Sequence, residues 1–147
     1  MKKRVAVALS GGIDSAVCAL LLKEEGYEVI GVTMRLLENE SATRRIDKAK
    51  EIAEKIRIPH YVVDFRDAFK EYIIRNFCEE FKRGRTPNPC IRCNEYIKFG
   101  ILLKEAKQLG AEYLATGHYA RIEYCREKGK YLLKKGCDPE KDQSYFL

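Results

Sequence analysis

Two short stretches of the chain carry residue types that chemistry uses. Ser10-Gly11-Gly12-Ile13-Asp14-Ser15 packs two adjacent glycines, two hydroxyls and a carboxylate into one turn, directly after an apolar run and directly before a helix-like segment. A buried strand that breaks into small residues and re-forms as a helix aims several backbone amides at one point, with the positive helix end behind them. That is an anion cradle; the plainer alternative is a glycine turn joining strand to helix. The second stretch, Lys82 to Asn94, holds Cys90 and Cys93 close to Arg85, Arg92 and Lys98. Cations beside a thiol lower its pKa and favour the thiolate, which is the nucleophile. Three chemistries stay open for this pair: a reactive sulfur site, half of a zinc or iron-sulfur site, or an incidental placement in a loop. A four-ligand zinc site has no evident second pair, because His60 and His118 stand singly.

The elements that must position these stretches follow from periodicity. The apolar run 5–9 is a buried strand, and Val17, Leu20 and Leu21 mark a helix over 16–23 that stops near Gly26. A second strand covers 28–34. Ser41 is placed to cap a helix whose apolar side is Ile46, Ala49, Ile52, Ala53 and Ile56, closed by Pro59 and followed by a strand over 60–65. Phe69, Ile73, Phe77 and Phe81 at steps of four read as the core stripe of a helix over 67–82. Residues 82–94 are rich in proline and glycine and read as a loop. A helix over 95–109 stopped by Gly110, a strand over 112–116 and a hairpin pairing 120–124 with 131–134 complete the chain. The expected fold class is α/β: an open, mostly parallel sheet with helices on both faces, plus a C-terminal β-hairpin, with ligands beyond the carboxyl ends of the strands.

Composition sets outer bounds. With 147 residues, 46% hydrophobic and 34% charged, the chain has room for one cored domain and no apolar run long enough to span a bilayer, so a cytoplasmic protein with no membrane partner is expected. The net charge of +6 favours a polyanionic partner. Cys18, Cys78, Cys125 and Cys137 stand alone and read as small buried hydrophobes. The last residues, Tyr145-Phe146-Leu147, are large and apolar where natural ends are polar, which suggests a piece of a longer chain.

The cradle lacks the Gly-Lys-Ser/Thr of a Walker loop and the Gly-x-Gly-x-x-Gly of dinucleotide folds. Ser10-Gly-Gly-Ile-Asp-Ser15 instead resembles the pyrophosphate loop (PP-loop) of the ATP pyrophosphatases, whose fold is adenine nucleotide alpha hydrolase-like. Together with Gly84-Arg-Thr-Pro-Asn-Pro-Cys-Ile-Arg-Cys-Asn94, Ile97-Lys-Phe99, Ala115-Thr-Gly-His-Tyr-Ala-Arg121 and Lys141-Asp-Gln-Ser-Tyr-Phe-Leu147, it resembles the tRNA-specific 2-thiouridylase family. The resemblance implies ATP contacts at Ala8, Leu9, Ser10, Gly11, Gly12, Ile13, Asp14, Ser15, Met34 and Gly117, with Asp14 helping to hold Mg2+. It implies Cys93 as the sulfur nucleophile and Cys90 as its catalytic neighbour. Asn88, Pro89 and Cys90 would lie beside the target uridine of tRNA, and Lys141, Asp142 and Gln143 would contact tRNA elsewhere. Arg83, Arg85 and Arg92 are placed to meet phosphates.

The implied activity is adenylation of the wobble uridine at O2 by ATP, then sulfur transfer from a cysteine persulfide, supplied by a relay protein or a cysteine desulfurase. An iron-sulfur cluster at the cysteines accompanies some members with Cys-x-x-Cys. The division expected is a catalytic domain over 1–118, then a hairpin and connecting segment over 119–147. Other readings keep the cradle: a thiolase acting on another tRNA base, or an ATP-binding module without sulfur transfer. The family's persulfide-bearing cysteine lies beyond the Lys-Asp-Gln motif, in sequence this chain lacks, so the isolated chain is expected to bind ATP but transfer sulfur weakly.

Overall fold

The computed structural model describes residues 2–147 and divides into two compact units, one ending at Gly117 and the other spanning His118–Leu147. In the first unit four parallel strands, β1 (Arg4–Ala8), β2 (Glu28–Arg35), β3 (His60–Asp64) and β4 (Tyr113–Ala115), lie in the order β3-β2-β1-β4. β1 is central, with Val5 paired to Val29 on one side and Tyr113 on the other. This explains the uninterrupted apolar runs: a strand covered on both faces needs no polar alternation. On one face Val7, Leu9 and Val29 pack with Ala19, Ala49 and Ala53; on the other Ala6, Ile30 and Val32 pack with Leu102 and Ala106. The edge strand β3 keeps Tyr61 and Val62 exposed.

Four helical stretches supply that cover: α1 (Ile13–Glu24), α2 (Glu40–Ile56), α3 over residues 66–82 and α4 over residues 89–108. Each of the last two carries a π-helical segment, Lys70–Ile74 in α3 and Cys93–Leu102 in α4. After β1 the chain builds outward to β2 and β3, and β4 then returns to the opposite side of β1. The reversal puts a topological switch point between β1 and β4, where open parallel sheets bind ligands.

Local chemistry moved several boundaries. Asn39, not Ser41, caps α2: its Oδ1 accepts from the Ala42 amide at 2.8 Å. The segment expected as a loop over 82–94 becomes helix at Pro89, since proline at the first helical position lacks only an amide that has no partner there anyway, and Asn88 Oδ1 accepts from the Cys90 amide at 3.0 Å. Cys90 and Cys93 therefore sit in the first turns of α4. The aromatic stripe is core only in part: Ile73 is buried, whereas Phe81 is 52% exposed and meets Phe77 edge-on at 4.8 Å between centroids. A step of four overshoots a 3.6-residue turn by about 40°, so such a row winds off the face on which it starts. Cys78 and Cys137 are exposed rather than buried.

The second unit is the expected hairpin, β5 (Ala120–Cys125) antiparallel to β6 (Lys130–Lys135), followed by a 3-10 turn at Ser144–Phe146. Pairing of Ile122 with Leu133 and of Tyr124 with Tyr131 collects these four side chains on one face. Among the described residues no helix is long and apolar enough to cross a membrane.

Candidate functional site

The cradle is held from within by hydroxyls. Ser15, buried at the start of α1, accepts from the Ser10 amide at 3.1 Å, lies 3.1 Å from the Ser10 hydroxyl and donates to the Gly12 carbonyl at 3.1 Å. The Ser10 hydroxyl in turn accepts from the Gly12 amide at 3.3 Å. Gly12 caps α1 without a side-chain hydrogen bond and adds no side chain of its own before the first helical turn. The amides of that turn therefore face an anion's position, with the helix dipole adding to the attraction.

Two glycines are required by space. Gly11 has φ +80°, and a Cβ there would stand 2.5 Å from the Arg45 carbonyl oxygen of α2. Gly117, in the loop after β4, would bring a Cβ to 2.9 Å from the Asp14 carbonyl carbon and the Ser15 amide nitrogen. The structure thus brings Gly117 against the first turn of α1, across the switch point. Leu9 is 1% exposed, its amide bonded to the Val32 carbonyl at 2.9 Å, whereas Asp14 and Ile13 are exposed on the first turn. Ala8 and Met34 are partly buried against the core at the ends of β1 and β2.

Sequence reasoning missed a polar brace behind the cradle. Thr33, buried in the apolar β2, donates its hydroxyl to the Leu9 carbonyl at 2.7 Å, and His60 Nε2 lies 2.8 Å from the Thr33 Oγ1. Because the Thr33 proton goes to Leu9, His60 must donate from Nε2. A threonine inside an otherwise apolar strand, and a histidine opening the next strand, were the available signals. Thr33→Val removes both bonds and leaves a carbonyl to be satisfied, a loss of about 1–3 kcal/mol readable as a lower denaturant midpoint. Burial first, and Lys50 second, push the His60 pKa below the ordinary histidine value. A base with a depressed folded pKa contributes no loss above its unfolded value and destabilises the fold as pH falls below it. Comparison with His60→Gln should therefore show wild-type stability falling more steeply between about pH 7 and pH 5.

The cysteine pair has a different setting from the one its neighbours suggested. Cys90 is exposed and Cys93 half-buried, and Asn94 beside it is 2% exposed. Burial pushes the Cys93 thiol pKa up; Lys98 pulls the other way, and Cys90 adds to the rise. The expected lowering by three cations fails because two of them are directed elsewhere. Arg85 pairs with Glu80 at 3.1 Å, and the Arg92 guanidinium lies over the Tyr96 ring, 4.8 Å from its centroid. Among the described residues no three His, Cys, Asp or Glu side chains converge to hold a metal ion. Cys90 and Cys93 are two of the thiolates an iron-sulfur cluster would take, where a cubane takes four. Magnesium is a different case, since one carboxylate plus phosphate oxygens suits it and Asp14 offers that carboxylate.

In the second unit Lys141, Asp142 and Gln143 hold their own segment. Asp142 accepts from the Gly136 amide at 2.7 Å and the Ser144 amide at 3.1 Å, and these bonds hold its carboxyl below the usual range. Gln143 accepts from the Tyr119 amide at 2.9 Å and donates its own amide to the Tyr119 carbonyl at 2.8 Å. The Lys141 ammonium lies 5.7 Å from the Tyr119 ring centroid.

Several known proteins are similar to this chain. The family described as tRNA methyl transferase HUP domain matches residues 3–147. A protein of Syntrophomonas wolfei named tRNA-specific 2-thiouridylase MnmA is 56% identical over 144 residues, covering 98% of this chain and 41% of that protein. The protein of that name in Clostridium acetobutylicum is 49% identical, covering 100% of this chain and 44% of its own length. The chain thus spans less than half the length of these relatives. Among solved structures, the U34-tRNA thiolase NcsA from Methanococcus maripaludis with its [4Fe-4S] cluster is 30% identical with a TM-score of 0.57, covering 79% of this chain and 38% of that one. A glutamine-dependent NAD+ synthetase from Acinetobacter baumannii, 19% identical with a TM-score of 0.56 over 80% of this chain and 22% of its own, shares the fold. With its four-stranded parallel sheet, its glycine cradle and a family match from residue 3 to residue 147, this chain belongs to the tRNA methyl transferase HUP domain family.

Proposed function

We propose that the chain is the ATP-activating part of a tRNA 2-thiolation enzyme. The observation that carries the reading is the preformed cradle at the switch point, pinned by Ser10, Ser15 and Gly117, in the same unit as the Cys90/Cys93 helix. The cradle amides hold the terminal phosphates of ATP; Asp14 is the residue that would hold Mg2+ together with phosphate oxygens, and the ion would supply positive charge against the departing pyrophosphate. Ala8 and Leu9 at the strand end and Gly11 to Ile13 in the loop form the nucleotide segment, and Met34 borders the adenine. The uridine O2 attacks the α-phosphorus, the α–β bridging bond breaks, and pyrophosphate leaves. O2 is then an adenylate, and a poor leaving group has become a good one.

Sulfur enters as a cysteine persulfide brought to the adenylated base beside Cys93. Its terminal sulfur attacks carbon 2, the carbon–oxygen bond breaks, and AMP takes the oxygen away. The sulfur is still bonded to its carrier cysteine; the Cys93 thiolate attacks the carrier sulfur, a disulfide forms between the two cysteines, and the transferred sulfur stays on carbon 2, with Cys90 beside Cys93 in the same helix. Asn88 and Pro89 border the uridine, and Lys141, Asp142 and Gln143 present a further tRNA contact. The working division is a catalytic part over 1–118 and a hairpin part over 119–147, acting in the cytoplasm with a persulfide-donating relay protein or cysteine desulfurase.

The experiment supplies the full-length protein with ATP, Mg2+, tRNA and a persulfide donor. AMP and pyrophosphate should form only when tRNA is present, with the wobble uridine gaining sulfur for oxygen by mass. ADP as the nucleotide product, or AMP formation indifferent to tRNA, contradicts the reading.

A further inference from the structure

Helices α3 and α4 meet through a stack of planar groups one turn from Cys93. The Tyr72 and Tyr96 rings lie 5.4 Å apart at an interplanar angle of 4°, and the Arg92 guanidinium sits over Tyr96 while its Nε donates to the Tyr72 carbonyl at 3.3 Å. Core packing alone would bury such a stack. Here Tyr72 remains 41% exposed, although parallel stacking and the Arg92 bond fix its position. Fixing a ring in advance removes the ordering cost that a ligand would otherwise meet.

The surrounding charge indicates what would stack there. Residues 83–98 contain Arg83, Arg85, Arg92 and Lys98 with Glu95 as their one carboxylate, and Glu80 just before them pairs with Arg83 at 3.4 Å and Arg85 at 3.1 Å, leaving a net surplus of cations. An exposed aromatic ring beside a cationic segment fits an unpaired nucleobase with its attached phosphate, the arrangement used by proteins that hold single-stranded nucleic acid. An apolar peptide would gain nothing from these cations.

We propose that Tyr72, held by Tyr96 and Arg92, is a stacking platform for one unpaired base of the RNA substrate, next to the base that reaches Cys93. This rests on the thiolation reading and adds a binding residue to the same site. It also gives Arg92 a second task, since its position over Tyr96 leaves it supporting the stack rather than the thiolate.

The test measures binding of an RNA stem–loop that presents the target uridine in its loop, at one fixed salt concentration. Tyr72→Leu should weaken binding about tenfold and Tyr72→Phe should not, with the unfolding midpoint unchanged in both. An RNA with an abasic site at the stacked nucleotide should bind wild type as weakly as intact RNA binds Tyr72→Leu, and combining the two changes should cost nothing more. Full additivity at every loop position, or wild-type affinity in Tyr72→Leu, overturns the platform while thiolation by the wild-type protein stands. Absence of both RNA binding and thiolation in the wild-type protein overturns the platform and the thiolation reading together. Loss of a dimer on Tyr72→Leu with RNA affinity kept assigns the surface to a second copy and also overturns the platform.

Discussion

Cys93→Ser is expected to cut tRNA thiolation by at least about 10³-fold while leaving ATP binding unchanged, because loss of a nucleophile removes a bond-forming group and not a binding contact. Serine keeps the volume but cannot form the disulfide that releases the transferred sulfur. Thiolation is read as incorporated sulfur, and ATP binding by equilibrium titration of the same preparation. The setting of Cys93 adds a pH signature. Burial holds its pKa up, so the thiolate fraction is small at neutral pH and climbs about tenfold per pH unit. Alkylation of Cys93 by iodoacetamide should climb with it and should not level off near pH 7. A plateau there would show that Lys98 outweighs burial.

The second large effect lies at Gly11. Alanine would have to adopt φ +80° with its Cβ 2.5 Å from the Arg45 carbonyl oxygen, which is backbone of α2 and cannot turn aside. Positive-φ strain and the overlap together cost on the order of 3 kcal/mol, and the loop relieves part of it by moving off α2. That displacement carries the Gly12 amide away from Ser10 and opens the cradle. Gly11→Ala should therefore lower the unfolding midpoint and abolish measurable ATP binding, whereas Gly84→Ala, at a glycine whose added Cβ meets nothing within 4 Å, should leave ATP binding unchanged.

The parallel sheet was readable because strands buried on both faces show as unbroken apolar runs, and Val5 to Leu9 is such a run. The cradle was readable because only a few residue types fit a strand-to-helix anion loop. Helix α4 was misjudged at its start because Asn88-Pro89 has the composition of a loop, while cap and first-turn geometry make it a helix entrance. The thiol setting was misjudged for a different reason: proximity in sequence does not say where an arginine points, and Arg85 and Arg92 point at Glu80 and Tyr96. The Thr33–His60 brace and the Tyr72–Tyr96 stack join residues from separate elements, so neither leaves a local pattern. The bonds of Asp142 to the Gly136 amide and of Gln143 to the Tyr119 amide also span separate parts of the chain, so only the folded hairpin reveals them.

Oxygen-18 placed at carbon 2 of the wobble uridine tests the activation step most directly. If ATP adenylates O2 and sulfur displaces AMP, the label must leave with AMP, and the tRNA must gain unlabelled sulfur in its place. Labelled AMP in the wild-type reaction, lost in Gly11→Ala, is the expected result. Unlabelled AMP alongside thiolated tRNA would mean that the oxygen departs by another route, and would contradict activation of uridine by the cradle.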